Sequence, residues 1–584
     1  MADSPIYDIA IAGGGSAGAV LAARLSEVAG LRVVLVEAGP EIDPANVPPV
    51  LASQYAGRAQ FNPDWFWTEL RATFGELKSN QPGTPRGYEQ PKVLGGGSSV
   101  NGIGANRGQP ADYAEWVDHG AAGWGWDDVL PYFRKLEREL VHTGTLHGRD
   151  GPLPIQSIPR SHWTGFTSAV AEAIKPEGLG QGDDQNGLWQ DGLIPTSINI
   201  DERGQRASTA VAYLSDAVRG RPNLTILPGT QVRRVLVAGG RAIGLRVVAD
   251  GAERSIRAHH VVVSAGAIGS PALLMRSGIG PGAHLQQRGV AVVADLPGVG
   301  ENLQEHPATG LSVFLAPGAR GSGGERYHLQ TLLRWSSGLD GTPAGDMHMA
   351  VSTRGTWHAV GRRVGGFYGW VNKSYSRGRV RLGENIEAVP EVDFRMLSDR
   401  RDLLRLMQSF RLSLRILQRV KDAGAALEIF PSGYSDRIKA LARPTARNGM
   451  LMGIAGPIMD ASAALRRRML AIATEGAPAP EHLAADDDRL EDYLRRVVGG
   501  VWHPCGTCKM GAANDPMAVV DPTGAVRGLE GLSVCDASVM PTIPCANLNV
   551  PVIMIAEKIS DGLKARGAAP RPRWGSPQAP SLEG

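Results

Sequence analysis

A strand, a glycine-rich turn, a helix and a second strand follow one another near the amino terminus, and this unit constrains the fold more than any other feature of the sequence. Residues 7–12 (YDIAIA) are short, apolar and rich in strand-forming types, which predicts a buried parallel strand. The glycine-rich turn at residues 13–18 comes next, followed by apolar residues at helical spacing. Residues 32–36 (RVVLV) predict a second strand, which runs into Glu37.

Each part of this unit suits a bound dinucleotide. Gly13 permits the tight turn, Gly15 lets the backbone approach a pyrophosphate, and Gly18 lets the helix pack closely on the strand. The helix N-terminus presents free N–H groups and positive partial charge to the phosphates. Glu37 lies about twenty residues after Gly18, where a carboxylate accepts hydrogen bonds from ribose hydroxyls and repels the 2′-phosphate of NADP. The turn by itself leaves FAD and NAD as alternatives.

Composition excludes several other classes of protein. At 584 residues, with 42% hydrophobic residues, the chain should form two or more domains. The formal net charge is only +3 and the basic residues are scattered, so no nucleic-acid-binding surface is predicted. No run of about 18 apolar residues predicts a membrane span, and the amino terminus lacks the features of a secretory signal. The four cysteines form no disulfide framework, which suits a cytoplasmic location.

Further sequence blocks stand in a fixed order along the chain. They are KVLGGGSSVNG (92–102), GAIGSPALLMRSGIG (266–280), LPGVGENLQEHP (296–307), VWHPCGTCKMG (501–511) and the run at 519–558. Together with the amino-terminal unit, these blocks resemble the glucose–methanol–choline (GMC) family of FAD-dependent alcohol oxidoreductases from residue 7 to about residue 563. Within the family, the runs GGVWH, WVNK and ASVMPTIPCANLN are most similar to the 5-hydroxymethylfurfural oxidase type.

The resemblance implies a fold of α/β and α+β class with two domains. The expected FAD-binding domain is Rossmann-like and discontinuous, and it comprises residues 1–155, 203–310 and 500–566. The expected substrate-binding domain is an antiparallel sheet flanked by helices, and it comprises residues 156–202 and 311–499. The low-complexity tail at 567–584 is expected to be disordered.

The resemblance also implies which residues hold the FAD. Residues 95–99 form a loop whose backbone N–H groups can face a diphosphate or the flavin edge. Residues 260–264 predict a third strand of the FAD sheet, followed by a helix at 271–277. Some relatives bind the flavin covalently through a histidine at the position of Val100, so this chain is expected to bind FAD non-covalently at this site. The expected cofactor contacts are Gly13, Gly15, Ser16, Ala17, Gly18, Glu37, Ala38, Gly95, Gly96, Ser98, Ser99, Asn101, Gly102, Val232, Ala265, Gly266, Asp536, Ala537, Asn549 and Pro551.

The stretch VWHPCGTCKMG combines a histidine with a Cys-x-x-Cys pair, and its residues alone admit three chemistries. His503 could bind a metal together with Cys505 and Cys508, the two cysteines could form a redox disulfide, or His503 could act as a base. A structural zinc needs four ligands and the chain has only one such cysteine pair, so no metal is predicted. A redox pair is disfavoured because Pro504 and Gly506 break the helix start typical of thioredoxin-like pairs.

The resemblance assigns two catalytic residues. In the family the histidine of an HPxGT motif is the catalytic base, and this chain has His503 there. Asn547 occupies the position of a second polar residue before the terminal helix. An imidazole with an ordinary pKa of about 6.5 can accept the hydroxyl proton of an alcohol at pH 7. The Asn547 amide can bind the substrate oxygen and position the carbon near flavin N5.

The middle of the chain predicts the substrate domain. Its expected strands lie at 346–351, 367–373, 379–382 and 391–394, as parts of one sheet, and its expected long amphipathic helix lies at 401–420. Residues 439–488 are expected to form a partly helical lid.

Three aromatic residues are candidates for the substrate pocket. Tyr368 and Trp370 should point to the same side of a strand, and Trp502 precedes the expected base. Rings around the reacting centre would favour flat apolar alcohols, and ordinary core packing is the alternative.

The predicted function is oxidation of a small apolar primary alcohol, furanic or benzylic, to the aldehyde by hydride transfer to flavin N5. Oxygen is expected to reoxidise the flavin and give hydrogen peroxide, with another electron acceptor as the alternative. The sequence also admits a lyase or photodecarboxylase relative, a redox sensor that uses Cys505 and Cys508, and an NAD dehydrogenase. It leaves the oligomeric state open.

Overall fold

The computed structural model describes residues 5–321, 327–433 and 435–567. The tail predicted to be disordered lies outside the described residues, except for Gly567. The strands are β1 (Tyr7–Ala12), β2 (Val33–Val36), β3 (Arg71–Gly75), β4 (Arg86–Gly87), β5 (Glu137–Glu139), β6 (Leu153–Ser157), β7 (Gly192–Pro195), β8 (Ser197–Ile198), β9 (Leu224–Leu227), β10 (Thr230–Ala238), β11 (Arg241–Ala249), β12 (Ala252–Val263), β13 (Ile279–Gly280), β14 (Ala294–Asp295), β15 (Ala308–Leu315), β16 (Leu329–Trp335), β17 (Met347–Ser352), β18 (Val364–Val371), β19 (Arg379–Arg381), β20 (Glu391–Met396), β21 (Ala426–Pro431) and β22 (Leu532–Val534).

The α-helices cover the sheets and connect them. They are α1 (Ser16–Leu25), α2 (Pro49–Ala52), α3 (Gly57–Gln60), α4 (Gly97–Val100), α5 (Pro110–Asp118), α6 (Trp126–Leu136), α7 (Gly165–Ala173), α8 (Thr209–Ala212), α9 (Asp216–Arg219), α10 (Gly266–Arg276), α11 (Gly282–Gln287), α12 (Arg400–Asp422), α13 (Asp436–Ala442), α14 (Ala446–Ala461), α15 (Ala463–Ala473), α16 (Pro480–Ala484), α17 (Asp487–Val497) and α18 (Asn549–Gly567). Among the described residues, no helix combines the length and the apolar character that a bilayer span needs.

A parallel sheet forms around β1, in the order β22–β12–β1–β2–β9. Ile9 pairs with Val33 on one side and with His260 on the other. Strands buried on both faces consist of continuous apolar runs, which explains YDIAIA and RVVLV. The first half of β12 leaves this sheet and pairs antiparallel with β11, which in turn pairs with β10. The third parallel strand predicted at residues 260–264 therefore exists as the end of β12.

The helix predicted at 271–277 begins earlier in the structure, at Gly266, and runs through Pro271. Proline has no N–H to donate, so the carbonyl one turn before it loses its usual partner. Here that carbonyl, of Ala267, accepts a hydrogen bond of 2.6 Å from the Thr507 hydroxyl. A side chain distant in sequence thus compensates for the proline.

A second, antiparallel sheet has the strand order β21–β15–β18–β17–β16–β7 and contains the strands predicted around residues 346–351 and 367–373. Helix α12 packs on this sheet, and it extends a little beyond the predicted 401–420 at both ends. Helices α13–α17 occupy most of the segment predicted as a lid.

One prediction about this sheet is wrong. The stretches at 379–382 and 391–394 do not continue it; they form β19 and β20 of a separate four-stranded sheet with β3 and β4. Both edges of the preceding strand, β18, are already paired, with β15 and β17. The chain that follows β18 must therefore find a partner elsewhere.

The close approach of α1 to β1 can be tested at a glycine. A Cβ atom at Gly18 would overlap the backbone carbonyl oxygen of Gly13, whereas a Cβ at the exposed Gly30 would meet no atom within 4 Å. We expect Gly18→Ala to destabilise the protein by about 2 kcal/mol, because backbone atoms cannot move aside as a side chain can. Thermal unfolding should show a lower melting temperature for Gly18→Ala and an unchanged one for Gly30→Ala. Equal melting temperatures of the two variants would contradict this packing.

Candidate active site

Two glycine-rich loops meet at the carboxyl ends of the parallel strands. Gly95 N–H donates to the Gly14 carbonyl at 2.7 Å. A Cβ at Gly96, whose φ is +51°, would lie 2.7 Å from the Cα of Gly15. Gly15 and Gly97 instead face open space, with no atom within 4 Å of the point where a Cβ would stand. The loops thus leave exposed backbone at the edge where open α/β sheets bind ligands.

The hydroxyls of Ser98 and Ser99 hold the second loop in place rather than facing outward. Ser98 donates to the Gly95 carbonyl at 2.6 Å and Ser99 donates to the Leu94 carbonyl at 2.8 Å. Both serines are buried. Contacts from this loop to a cofactor would therefore come mainly from its backbone, for example at Gly97, where no atom lies near the Cβ position.

The Glu37 carboxylate lies buried beside the first loop. Its oxygens accept hydrogen bonds from the Gly14 N–H at 2.8 Å and the Gly39 N–H at 2.7 Å. Burial raises the pKa of Glu37, and these backbone donors oppose that rise. The Ala38 N–H is a third backbone donor to this carboxylate. A carboxylate has about four lone-pair sites, so it can still accept a further hydrogen bond. Ala38 follows it and is half-buried, and Val232 is half-buried on β10.

Asp536 connects the end of β22 to the start of α10. Its carboxylate accepts hydrogen bonds from the Gly266 N–H at 2.8 Å and from the Ser270 hydroxyl at 2.5 Å. Ala265 is exposed at this edge, and Ala537 is half-buried. The aspartate thus fixes the backbone where α10 begins, next to the end of β12.

Residues from opposite ends of the chain meet at the start of α18. Ser16 donates to the Asn549 side chain at 3.0 Å, and Pro551 stands in the first turn of that helix. Ala17 is buried within α1. Asn101 accepts a 2.7 Å hydrogen bond from Arg206, just before Gly102. These are the positions of the predicted cofactor residues, whose contacts to a cofactor remain predictions.

The structure brings the two predicted catalytic residues together. The Asn547 amide nitrogen lies 3.2 Å from His503 Nε2. An amide nitrogen can only donate, so Nε2 is the acceptor and carries a lone pair rather than a proton on this side. The His503 proton must then be on Nδ1. This tautomer is the one that a base acting through Nε2 requires.

A second histidine supports the same tautomer. His503 Nδ1 lies 3.0 Å from His306 Nδ1, with the two rings perpendicular. If His503 donates from Nδ1, His306 accepts on its own Nδ1 and holds its proton on Nε2. His306 Nε2 lies 3.3 Å from the Pro544 carbonyl, which can only accept. Each hydrogen bond along the row Asn547–His503–His306–Pro544 thus has one donor and one acceptor.

The buried carboxylate of Glu305 holds the backbone of both histidines. It accepts hydrogen bonds from the His503 N–H at 2.7 Å and the His306 N–H at 2.8 Å, as well as from the Tyr88 hydroxyl. Burial raises the pKa of Glu305 to about 7. Trp502, directly before His503, has a φ of +60°, a strained value for a tryptophan. The carboxylate contact helps to hold this turn.

Burial favours the neutral form of both histidines. Burial lowers the pKa of His503 to about 3 and that of His306 well below its ordinary value. His503 itself is only half-buried, so a substrate can reach it. A neutral imidazole with its lone pair toward Asn547 is ready to accept a proton.

The three predicted pocket residues have different contacts. Tyr368 and Trp370 share a face of β18 and belong to one apolar cluster with Val501. The Tyr368 hydroxyl donates to the Gly500 carbonyl at 3.0 Å, close to the catalytic turn. The Trp502 indole instead stacks near Tyr88, with ring centres 6.3 Å apart, and donates to Glu89 at 3.1 Å. The roles of all three in substrate binding stay predictions.

The four cysteines, all within the described residues, are free and buried. Burial raises the pKa of the Cys505 and Cys508 thiols far above the ordinary value, so both are protonated. Thiol exchange requires a thiolate, which makes these two cysteines poor redox partners. Side chains of Glu305, His306 and His503 come close enough to share a metal, but hydrogen bonds already engage all three. The expectation of no metal remains a prediction.

Sequence reasoning assigned no role to Glu305, His306 or Tyr88. The first two lie in the block LPGVGENLQEHP, which carried the resemblance as a whole. One signal was available, because His306 and His503 are each followed directly by proline. That signal does not reveal that the two rings meet across 197 positions of sequence.

Comparison with known proteins gives consistent results along the whole chain. Two family models described as GMC oxidoreductase match residues 7–308 and 374–556. The 5-(hydroxymethyl)furfural oxidase of Methylovorus sp. (strain MP688) is 38% identical over 573 residues, which cover 96% of this chain and 98% of that protein. The oxygen-dependent choline dehydrogenase of Photobacterium profundum is 33% identical and covers 98% of this chain and 96% of its own. The crystal structure of pyridoxine 4-oxidase from Mesorbium loti superposes with a TM-score of 0.76 at 30% identity, covering 95% of this chain and 99% of that one.

The raised pKa of Glu305 predicts a pH dependence of stability. The folded protein retains this proton up to about pH 7, while the unfolded chain releases it near its ordinary pKa of 4.5. This residue therefore costs stability progressively as the pH rises from 4.5 to 7, by up to about 3 kcal/mol. Glu305→Gln cannot titrate, so its melting temperature should improve relative to wild type between pH 5 and pH 8.

Glu384→Gln, at an exposed glutamate, serves as the matched control and should follow the wild type at every pH. A difference between Glu305→Gln and wild type that does not change with pH would show that Glu305 does not titrate in this range.

Proposed function

The chain belongs to the GMC oxidoreductase family, and from this premise we propose that it uses FAD to oxidise a primary alcohol to the aldehyde. The predicted family and fold class are confirmed by these matches. The observation that supports the reaction most directly is the contact between His503 Nε2 and the Asn547 amide. This contact places the His503 imidazole, a base, and the Asn547 amide, a hydrogen-bond donor, close enough to bind the same alcohol oxygen.

The backbone at the edge of the parallel sheet fits FAD. Gly15, Gly97 and Gly266 each have no atom within 4 Å of where a Cβ would stand, so a ligand can approach the main chain closely. The N-terminus of α1 offers free N–H groups and positive partial charge for a pyrophosphate. The Glu37 carboxylate can still accept a hydrogen bond from a ribose hydroxyl. When bound, FAD supplies the hydride acceptor at N5, and its reduced form passes two electrons to a second substrate.

We propose that FAD binds without a covalent bond at the second loop. Val100, the residue just before Asn101, has an aliphatic side chain with no nucleophilic atom and is 4% exposed. Precipitation of the purified protein with acid should therefore release all of the flavin into the supernatant, where its absorbance is measured. Yellow colour that remains with the washed protein pellet would contradict this proposal.

In the proposed reaction the protein residues bind the alcohol oxygen and remove its proton. The substrate hydroxyl accepts a hydrogen bond from the Asn547 amide and donates its proton to His503 Nε2. With FAD bound, removal of this proton would allow the carbinol carbon to give up a hydride and become the carbonyl carbon. Protonated His503 is stabilised because its Nδ1–H donates to His306. Glu305 also fixes the backbone on which His503 stands.

The substrate class follows from the apolar residues beside this centre. Tyr368 and Trp370 present rings on the face of β18 that packs against Val501. Rings of this kind favour flat apolar alcohols, furanic or benzylic. The relatives include enzymes named as an oxidase and as an oxygen-dependent dehydrogenase, which supports oxygen as the electron acceptor and hydrogen peroxide as the product. A dehydrogenase with another acceptor, and a family relative with lyase or photodecarboxylase chemistry, are the alternatives.

The two-domain division belongs to the same proposal. In it, residues 1–155, 203–310 and 500–566 bind FAD, and residues 156–202 and 311–499 bind the substrate. The sheet pairings support this division, since β7, from the first substrate segment, pairs with β16 from the second.

The proposal is tested by removing the base. Without the imidazole, no group in the described part of the chain takes the hydroxyl proton at the position of Nε2, so we expect His503→Ala to slow flavin reduction by about 100- to 10,000-fold. The rate is measured by anaerobic mixing of the enzyme with 5-methylfurfuryl alcohol or benzyl alcohol, followed through the flavin absorbance. Flavin content should equal that of wild type.

His482→Ala, at an exposed histidine of α16, is the matched control and should keep the wild-type rate. Rapid flavin reduction in His503→Ala would remove His503 from the mechanism. Admission of air after reduction, with a peroxide assay, distinguishes an oxidase from a dehydrogenase. Flavin that no alcohol bleaches would favour the lyase or photodecarboxylase alternative.

A further inference from the structure

A row of side chains crosses the antiparallel sheet on the face that bears the predicted pocket residues. Arg334 of β16 pairs with His348 of β17, which pairs with Trp370 of β18. Paired residues of neighbouring strands point to the same face of a sheet. Arg334 and His348 therefore lie on the same side as Trp370 and, two residues along β18, as Tyr368.

Arg334 is a buried cation without a carboxylate partner. Its side chain is fully buried, and Nη2 donates to the Gln185 carbonyl at 2.5 Å. Within the described residues, Nε and Nη1 have no hydrogen-bond partner and the guanidinium forms no ion pair. The nearest acids are engaged elsewhere, since Asp184 binds His147 at 2.8 Å and Asp191 binds Ser336 at 2.7 Å. An uncompensated buried charge is costly, so such a group calls for a missing anion.

His348 shares this environment. It is fully buried, and in the described part of the chain neither ring nitrogen has a hydrogen-bond partner. The ring contacts Trp370 edge-on at 5.5 Å and lies parallel to Trp189 at 6.0 Å, while the Arg334 guanidinium lies 3.9 Å over the same Trp189 ring. Aromatic walls thus hold both polar groups in a fixed orientation, although no described residue accepts a hydrogen bond from their free N–H groups.

A polar wall connects this pair with the catalytic amide. Asn106 accepts the backbone N–H of Asn547 at 2.7 Å, and its own Nδ2 has no partner among the described residues. Asn186 donates to the Ala105 carbonyl at 2.7 Å, and it directly follows Gln185, whose carbonyl binds Arg334. The unpaired groups of Arg334 and His348 therefore belong to the surroundings of Asn547 rather than to an unrelated part of the core.

We propose that Arg334 and His348 bind the carboxylate of the substrate, which makes the substrate class of this enzyme flat aromatic alcohols that carry a carboxylate on the ring at the end remote from the hydroxymethyl group. This inference rests on the proposed function and specifies its substrate. The guanidinium supplies charge and two nitrogens, Nε and Nη1, whose N–H groups are unpaired among the described residues, and His348 supplies one more N–H. Trp370 contacts His348 and shares an apolar cluster with Val501 of the catalytic turn, so its indole would pack beside the aromatic ring of the substrate. A carboxylate matches a guanidinium better than a neutral acceptor because both of its oxygens can accept and its charge offsets the buried cation.

The test uses a matched pair of substrates, 4-(hydroxymethyl)benzoate and 4-methylbenzyl alcohol. We expect wild type to prefer the carboxylate in kcat/KM. Arg334→Met should lower kcat/KM for the carboxylate at least tenfold, mainly through a higher KM, and leave the neutral alcohol within about threefold. His348→Phe should shift the preference in the same direction by a smaller factor. Arg254→Met, at an exposed arginine of β12, controls for the loss of one positive charge and should change neither substrate.

A binding measurement separates this inference from the proposed reaction. Isothermal titration of the oxidised holoenzyme with 4-methylbenzoate should show binding, 4-methylbenzamide should bind at least tenfold more weakly, and Arg334→Met should abolish the difference. If the wild type binds 4-methylbenzoate through Arg334 yet no alcohol reduces its flavin, the carboxylate site stands and the proposed function fails. If the wild type oxidises both alcohols equally well and binds acid and amide alike, the carboxylate site is wrong. Should Arg334→Met not fold, the wild-type comparison and His348→Phe decide the question.

Discussion

The buried carboxylate of Glu305 holds together the three chain segments around His503, the proposed base. It accepts the backbone N–H groups of both neighbouring histidines and the hydroxyl of Tyr88. Because Glu305 binds the backbone N–H groups of the two histidines, it fixes the position of their main chain and leaves the ring nitrogens unused. Those nitrogens remain available for the contacts between the two histidines and with Asn547. The geometry of the proposed base depends on this one acceptor.

The cofactor edge and the catalytic turn are linked through the backbone of distant segments. Asp536 fixes the start of α10, while the Thr507 hydroxyl binds the carbonyl that Pro271 leaves unpaired in the same helix. Thr507 belongs to the HPxGT motif that contains His503. The motif that contains the proposed base thus also supplies a hydrogen bond that helix α10, which follows β12 of the parallel sheet, would otherwise lack. This arrangement couples the position of His503 to the proposed FAD-binding edge.

The second sheet gives the proposed pocket two different kinds of wall. Tyr368 and Trp370 contribute apolar rings next to Val501. On the neighbouring strands, in the same row, lie an arginine and a histidine with donors that no described residue pairs. Buried polar groups are normally satisfied, and groups that are not satisfied within the chain point to something the chain binds. The strand pairing therefore carries information about specificity that the apolar residues alone do not.

Local pattern determined the parts of this protein that depend on neighbours in sequence. The strand at residues 7–12, the turn at 13–18 and the helix after it follow from apolar periodicity and from the space that glycines provide. The resemblance of several blocks in fixed order was enough to indicate the family and to single out His503 and Asn547. These features are encoded by residues that are close in the chain, or by short contiguous motifs that can be recognised in the sequence alone.

Only the tertiary structure decided how the site is held and what lies opposite it. The contact of His306 with His503, the acceptor role of Glu305 and the lack of an acid beside Arg334 among the described residues each depend on positions far apart in sequence. The same holds for β20, which pairs with β3, a strand more than 300 residues earlier in the chain, and not with the antiparallel sheet. Hydrogen-bond direction and burial are properties of the complete set of neighbours, and no stretch of sequence contains that set.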